Sequence, residues 1–328
     1  MLNGKSILVT GGTGSFGKKF IETILRDFPE INRVVVFSRD EFKQFEMSNL
    51  PQFLNNKKLR YFIGDVRDKE RLMRAFDGID IVIHAAALKQ VPACEYNPFE
   101  AVKTNVIGAQ NVIDAAIDRG VKKVVALSTD KACSPVNLYG ATKLCSDKLF
   151  IAGNVYAGKK NTRFSVVRYG NVAGSRGSVI PFFEKLINEG ATELPITDDR
   201  MTRFWLKLEQ AVEMVTIALE TMCGGELYVK KIPSITMVDL AKAMAPNLPI
   251  KIVGIRPGEK IHEMMISAED ARNTIELDKF YIIMPDLDGV REGMIHKGKK
   301  VADNFEYHSG NNQEWLSIEQ MKNLINEI

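Results

Sequence analysis

The chain has 328 residues, and 44 Lys and Arg against 41 Asp and Glu leave a formal net charge of +3, which excludes a supercharged nucleic-acid binder. With 45% apolar and 26% charged residues it carries enough hydrophobic surface for a full core, which excludes a disordered chain. At roughly 150 residues per domain, the length predicts two domains, or one α/β domain with an appendage.

The first apolar run, Ile7 to Val9, is too short for a signal-peptide core, and no stretch approaches the roughly 18 apolar residues of a membrane span. Cys94, Cys133, Cys145 and Cys223 lack C-x-x-C spacing, and His84, His262, His296 and His308 form no metal-spacing pair. These features predict reduced thiols, no metal, no membrane insertion and a cytoplasmic location.

In chain order, Ser6–Thr10 reads as a buried strand, residues 17–27 as a helix, and Arg33–Ser38 as a second strand. Leu59–Ile63 and residues 80–84, 124–128 and 164–168 complete six Val/Ile/Leu-rich strands with helical patterns between them. One of those patterns, residues 100–119, reads as a helix able to supply an oligomer interface. Strands buried on both faces and alternating with helices predict right-handed crossovers and a doubly wound parallel sheet, an α/β fold. After about Gly170 the pattern changes. Residues 174–178 cluster Gly and Arg, residues 195–203 read as a polar loop, and helical patterns return at Leu208–Thr221, 237–245 and 317–327. This predicts residues 1–172 as a cofactor domain and 173–328 as a mainly substrate-binding domain, with some segments free to return to the first.

The segment Thr10-Gly11-Gly12-Thr13-Gly14-Ser15-Phe16-Gly17 leaves the first strand and opens the first helix. In that context a G-x-x-G-x-x-G spacing predicts a dinucleotide site, with the pyrophosphate on the helix N-terminus. The second strand ends in Ser38-Arg39-Asp40. A planar cation at Arg39, supplemented by Lys43, favours the 2′-phosphate of NADP over the bare ribose of NAD. The alternative is a solvated helix start with Asp40 as N-cap. Gly64-Asp65-Val66 places a carboxylate where an adenine amino group would lie, and Ala85-Ala86-Ala87 leaves room for the cofactor, although each also reads as ordinary turn chemistry.

The fifth strand ends at Ser128-Thr129-Asp130-Lys131, and Tyr139 and Lys143 follow at i, i+4 spacing on one helix face. An ammonium beside a phenol favours the phenolate, which takes a hydroxyl proton as hydride leaves the same carbon, and Thr129 is placed to hydrogen-bond that oxygen.

The glycine turn, Tyr139-x-x-x-Lys143 and Tyr169-Gly170-Asn171 resemble the extended short-chain dehydrogenase/reductases. Ser15-Phe16-Gly17, Ser38-Arg39-Asp40-Glu41, the run 63–68 (IGDVRD), 127–132 (LSTDKA), 137–143 (NLYGATK) and 255–262 (IRPGEKIH) are similar, more narrowly, to the inverting UDP-N-acetylglucosamine 4,6-dehydratases. The likeness runs from Ser6 to the Trp315 region. It implies a Rossmann-type fold with a smaller C-terminal α/β substrate-binding domain, NADP as cofactor, UDP-N-acetylglucosamine as substrate, a homo-oligomer, and a place in pseudaminic-acid biosynthesis and flagellin glycosylation. The implied chemistry oxidises C4, removes water across C5 and C6 and returns hydride to C6. It assigns Lys131 as C5 base, with a pKa expected to fall, and Asp130 as C6 acid, with a pKa expected to rise.

The same resemblance implies roles at Asn171, Arg203, Arg256 and Glu259 for the nucleotide sugar, and at Lys89 near the ligand hydroxyls or the nicotinamide ribose. Related membrane-anchored dehydratases carry Met at the Tyr139 position, so Tyr139 favours the soluble branch. Gln90 stands where the family usually has His, and Cys94 and Cys133 replace small residues. A UDP-sugar 4-epimerase, a retaining 4,6-dehydratase and a non-catalytic NADP-binding regulator remain as alternatives.

Overall fold

Short β-branched runs form parallel strands here because burial on both faces hides their side chains while neighbouring strands satisfy their backbone. The computed structural model describes all residues except 175–177, 288–289, 291–295 and 328, so the Gly/Arg cluster expected at 174–178 lies largely outside the described residues. In the first half the elements are β1 (Ser6–Thr10), α1 (Ser15–Asp27), β2 (Arg33–Ser38), α2 (Glu41–Ser48), β3 (Leu59–Ile63), α3 (Lys69–Ala75) and β4 (Ile81–His84). They continue as α4 (Val91–Tyr96), α5 (Pro98–Val102), a π-helical turn (Lys103–Ile107), α6 (Gly108–Arg119), β5 (Lys123–Thr129), a 3₁₀ turn (Asp130–Ala132), α7 (Leu138–Tyr156) and β6 (Arg163–Tyr169).

The second half contributes α8 (Val179–Asn188), β7 (Leu194–Ile196), β8 (Thr202–Phe204), α9 (Leu208–Thr221), β9 (Leu227–Lys230), β10 (Ser234–Thr236), α10 (Met237–Met244) and β11 (Ile250–Ile252). After these come β12 (Met264–Ile266), α11 (Ala268–Ala271), β13 (Thr274–Glu276), β14 (Phe280–Ile283), β15 (Lys299–Lys300), β16 (Tyr307–His308) and α12 (Ile318–Asn326).

Among the described residues the main sheet runs β3-β2-β1-β4-β5-β6-β9-β14-β13-β15. Strands β1 to β6 and β9 pair in parallel; β14, β13 and β15 extend the edge antiparallel. This is a Rossmann-type doubly wound sheet. Its strand order reverses between β1 and β4, which opens a crevice at their carboxyl ends. Four strands from beyond residue 226, β9, β14, β13 and β15, thus join the sheet begun by the first half of the chain. One helical face shows the packing energetics: α1 fully buries Phe20, Ile21 and Ile24 on the sheet, worth roughly 1.5–3 kcal/mol each. A separate core of Ile180, Phe183, Leu194, Ile196, Trp205, Leu240 and Met321 holds the smaller layer together.

One local expectation is overturned and one is refined. Residues 195–203, read as a loop, include the end of β7 and the start of β8, because Leu194, Ile196 and Thr202 find long-range partners in β11 and β10. The 100–119 run is helical throughout, as read, but a π turn interrupts its α pattern between α5 and α6. The π turn carries Asn105 inward, where its Nδ2 donates to Leu88 O and Thr142 Oγ1 and its Oδ1 accepts from Leu88 N. That clamp fixes the segment carrying Lys89.

The structure also gathers residues far apart in sequence. Glu226, fully buried, accepts hydrogen bonds from Cys223 N (2.5 Å), Gly224 N (2.9 Å), Ser165 Oγ (2.6 Å) and His296 Nε2 (2.9 Å). Spacing alone gave no sign of this cluster, and its four donors account for the buried charge. Among the described residues no helix is long and apolar enough to cross a membrane.

Candidate active site

A cavity of about 770 Å³ lies at the switch point. It runs from Arg39, past the start of α1 and Ala85–Ala86, to the end of β5 and the face of α7. That size suits a ligand larger than a single nucleotide base.

Its floor begins at the glycine turn. Gly14 N donates to Gly11 O, and helix α1 starts with no capping side chain and no acidic residue in its first turn, which leaves its N–H groups for an anion. A Cβ on Gly17 would lie 2.5 Å from Gly12 O, so only glycine lets α1 close over the turn. Thr13, Ser15, Phe16, Ser38, Arg39, Asp40, Lys43, Val66, Ala85, Ala86 and Lys89 all line the cavity. Asp40 caps α2 by accepting from Lys43 N at 3.0 Å, and its carboxylate pairs with Lys43 Nζ, also at 3.0 Å.

Asp65 is held by a neighbour within the chain. Its carboxylate accepts from Arg67 N, Nε and Nη2, and the guanidinium of Arg39 stands 3.8 Å away. It does not line the cavity. Burial acts to raise its pKa, but the Arg67 contacts outweigh burial and hold the carboxyl below the usual range.

The turn after β4 is tied to β1 through a buried relay. Ala85 N and Ala86 N both donate to Thr10 Oγ1 (3.2 and 3.3 Å), so the Thr10 hydroxyl proton goes to His84 Nδ1 at 2.9 Å. That leaves the His84 ring proton on Nε2. Burial first, and Lys143 second, depress the His84 pKa to about 3, so the ring is neutral.

At the far end, β5 delivers Thr129, Asp130 and Lys131, and α7 delivers Tyr139 and Lys143. Asn137 caps α7 by accepting from Gly140 N at 2.8 Å. A Cβ on Gly140 would lie 2.1 Å from Lys131 O, so glycine is what lets α7 rest against the 3₁₀ turn. Thr129, Lys131, Tyr139 and Lys143 line the cavity together. Lys131 Nζ donates to Asp130 Oδ1 (3.1 Å) and Asn171 Oδ1 (3.2 Å) and lies 3.4 Å from Glu263 Oε1. Asp130 is fully buried, accepts a 2.8 Å bond from Thr129 Oγ1, and leaves Oδ2 without a hydrogen-bond partner. It sits behind the lining rather than on it.

Two electrostatic expectations change. Lys131 does not have a lowered pKa: burial pushes it down, but Asp130 and Glu263 outweigh burial and hold it protonated. Tyr139 is not primed by Lys143. Burial pushes the phenol up to about 12, and the offsetting influences are the Lys131 charge and a hydrogen bond with Thr129. Lys143 instead donates to Leu127 O at 2.7 Å and is lowered by burial, with Asp147 acting against that. The expectation for Asp130 holds in direction: burial raises it, with Glu263 adding to the effect.

Asn171, in contact with Lys131, also lines the cavity, as do Arg256 and Glu259, with Arg256 Nε 3.1 Å from Glu259 Oε1. Arg203 does not: Nη1 donates to Thr202 O (2.7 Å) and Ile261 O (3.1 Å), and Nε lies 3.7 Å from Glu263 Oε1. Lys89 is lowered by burial and by Lys131.

Three residues escaped the sequence reading. Asp147 is i+4 from Lys143 and was open to detection as the third member of the Tyr139/Lys143 row. It accepts from Ser128 Oγ (2.6 Å) and pairs with Arg168 Nη2 (3.4 Å). Asn105 and Glu263 reach the site only through tertiary contacts, so no local spacing marks them.

Comparison with known proteins places this geometry. A family profile described as "Polysaccharide biosynthesis protein" matches residues 7–285. A Campylobacter jejuni protein named UDP-N-acetylglucosamine 4,6-dehydratase (inverting) is 57% identical over 333 aligned positions, covering 99% of this chain and 98% of its own. A Rickettsia canadensis protein named UDP-glucose 4-epimerase is 43% identical, covering 98% and 95%. The solved structure of Pen from Bacillus thuringiensis superposes with a TM-score of 0.89 at 40% identity, covering 100% of this chain and 99% of that one.

Proposed function

The chain belongs to the polysaccharide biosynthesis protein family, and on that premise we propose that it is an inverting UDP-N-acetylglucosamine 4,6-dehydratase, a carbon–oxygen lyase that uses NADP. The product is UDP-2-acetamido-2,6-dideoxy-β-L-arabino-hex-4-ulose. One observation carries the reading: a single cavity has Arg39 at one end and Thr129, Lys131, Tyr139 and Lys143 at the other, with Asp130 behind Lys131. A plain alcohol oxidation at C4 has no use for the second acid–base pair.

The residues fit a dinucleotide. The uncapped start of α1 and the close approach at Gly17 form a cradle for a pyrophosphate. Arg39 and Lys43 would supply cations for a 2′-phosphate, and Lys89, Tyr139 and Lys143 would hold the nicotinamide ribose. A bound nicotinamide would supply the hydride-transfer chemistry between C4 and C6.

The chain's own groups handle protons. At rest burial keeps Tyr139 a neutral phenol; the positive charge of a bound oxidised nicotinamide, added to that of Lys131, would favour the phenolate, and in that form Tyr139 takes the C4 hydroxyl proton. The C4 ketone then acidifies the C5 proton. Lys131 acts at C5 and Asp130 at the C6 hydroxyl. At rest Lys131 is protonated, so it becomes a base by passing one proton across the 3.1 Å contact to Asp130. The ion pair and the neutral pair differ only in that proton. Excluding water behind a bound sugar favours the neutral form, since desolvation penalises separated charges. Neutral Lys131 then takes the C5 proton, and protonated Asp130, behind the lining, gives its proton to the departing hydroxyl by way of the Thr129 hydroxyl, which is hydrogen-bonded to it and lines the cavity. Return of hydride to C6 leaves an enolate, which regains a solvent-derived proton at C5 on the face opposite Lys131, and this inverts that carbon. Asn171, Arg256 and Glu259 hold the nucleotide sugar; Arg203 acts from behind, through Glu263. Tyr139 and Lys131 are half-buried at the cavity, so a bound sugar would complete their shielding from bulk water. As a working form we propose a homo-oligomer; exposed Tyr96 and Phe99 beside the cavity-lining start of α4 support one.

A 4-epimerase reading draws on the Rickettsia relative's name. Incubating the purified protein with UDP-N-acetylglucosamine and NADP separates the two. A dehydratase yields a 4-keto-6-deoxy product with solvent deuterium at an inverted C5. An epimerase yields UDP-N-acetylgalactosamine and no keto product, which would overturn the proposal. Lys131→Ala is expected to abolish the keto product; an undiminished rate would remove Lys131 from its role at C5.

A further inference from the structure

Glu263 lies outside the resemblance motifs, yet it is the buried carboxylate that meets Lys131 from the smaller layer. It precedes β12 and is 3% exposed. Its backbone is clamped at both polar groups: Glu263 N donates to Ser309 Oγ (2.9 Å), and Ser309 N donates to Glu263 O (2.8 Å). The Ser309 hydroxyl is in turn hydrogen-bonded to Thr202 Oγ1 at 2.7 Å, and Thr202 Oγ1 to His262 Nδ1 at 2.8 Å. This scaffold fixes where the side chain can go. Its Oε1 reaches Lys131 Nζ at 3.4 Å and Arg203 Nε at 3.7 Å, while Oε2 is buried without a hydrogen-bond partner.

A buried carboxylate is stable only beside compensating charge, and the charge here is Lys131, Arg203 and, farther off, Lys260. The ammonium of Lys131 has three N–H donors. Asp130 Oδ1, Asn171 Oδ1 and Glu263 Oε1 supply three acceptors from three different elements. Removing Glu263 leaves one direction around Nζ open.

We propose that Glu263 is a positioning residue for the reaction: from the smaller layer it holds the Lys131 ammonium between Asp130 and Asn171, and so sets when Lys131 releases its proton. The inference rests on the dehydratase reading for its consequence in turnover, but not for its consequence at Lys131. The charged or titratable groups facing Lys131 are Asp130 from the end of β5, Glu263, Arg203 from β8, Tyr139 from α7 and Lys89 from the segment after β4. Of these, Asp130 and Glu263 are the anions that raise it. Losing one anion at this distance lowers a lysine pKa by roughly one unit or more.

The test is competitive acylation of the full-length protein across pH. The extent of labelling at Lys131 is read by peptide mass spectrometry, for wild type, Glu263→Gln and Glu263→Asp. The expected result is a Lys131 titration midpoint lower by roughly one unit or more in E263Q, with E263D between it and wild type. The pH limb of kcat/KM governed by Lys131 is expected to move by the same amount. An unmoved midpoint in folded E263Q overturns the proposal. If E263Q does not fold, E263D decides: it withdraws the carboxylate by one methylene, so a lowered midpoint supports the proposal and an unchanged one overturns it. Wild-type protein that gives no keto product would sink the dehydratase reading and leave the labelling result standing on its own.

Discussion

His84 makes the acid stability of this fold predictable. The ring is 1% exposed, accepts from Thr10 Oγ1 at 2.9 Å and packs 5.3 Å from the Phe150 ring. Its pKa is depressed from 6.5 to about 3 by burial and by Lys143. The sign follows directly. In the fold the ring stays neutral, whereas the unfolded chain binds a proton below about pH 6.5, so acid favours the unfolded state. The stabilisation is complete above the unfolded pKa and is lost as pH falls through the window from 6.5 toward 3. At about 1.36 kcal/mol per unit, lowering the pH from about 7 to about 4.5 costs about 2.5 kcal/mol from this one residue, and the loss saturates at roughly 5 kcal/mol in stronger acid. Urea unfolding at the two pH values measures it, with the midpoint converted through the denaturant slope. His84→Gln is expected to be less stable at neutral pH, because it loses the ring packing, but to lack this share of the acid loss. If wild type and H84Q lose stability in parallel over that window, the buried neutral imidazole is not the cause and the reasoning fails.

Gly17→Ala forces a Cβ to within 2.5 Å of Gly12 O; overpacking of that kind costs about 1–3 kcal/mol, and calorimetry is expected to show the loss together with weakened NADP binding. Arg39→Ala is expected to weaken NADP binding about tenfold or more while leaving NAD binding unchanged, since a charge-assisted bond contributes about 1.5–3 kcal/mol; equal weakening of both would exclude a 2′-phosphate contact. Glu226→Gln turns an acceptor of four hydrogen bonds into a part-donor facing donors, and the buried pair with His296 is broken. The expected cost is about 3–5 kcal/mol in urea, with activity per folded molecule preserved because the cluster lies away from the cavity.

The local half of the site was legible because its signals are local. A glycine spacing between a strand and a helix, an i, i+4 pair on α7 and a strand-end motif each state their geometry within a few residues. All of them, Asp130 apart, line the cavity. Asp65 does not, because the residue two positions on, Arg67, holds its carboxylate, and a turn motif does not say which partner a carboxylate meets. Arg203 does not either, because β8 pairs with β10 and the guanidinium meets Ile261 O and Glu263.

By itself, then, the sequence determined the strand order's raw material, the glycine turn and the identity of the ionisable groups that gather at the cavity. These depend on periodicity, backbone freedom and side-chain chemistry, which short segments carry with them. The tertiary structure alone decided the charge state of those groups. A lysine expected to be depressed is held protonated because Glu263, 132 positions further along the chain, is brought within 3.4 Å of it in a buried site. A phenol expected to be activated by Lys143 is raised by burial and answers instead to Lys131 and Thr129. Burial and long-range charge act through space, so they take their values only once the smaller layer has closed over the carboxyl edge of the sheet.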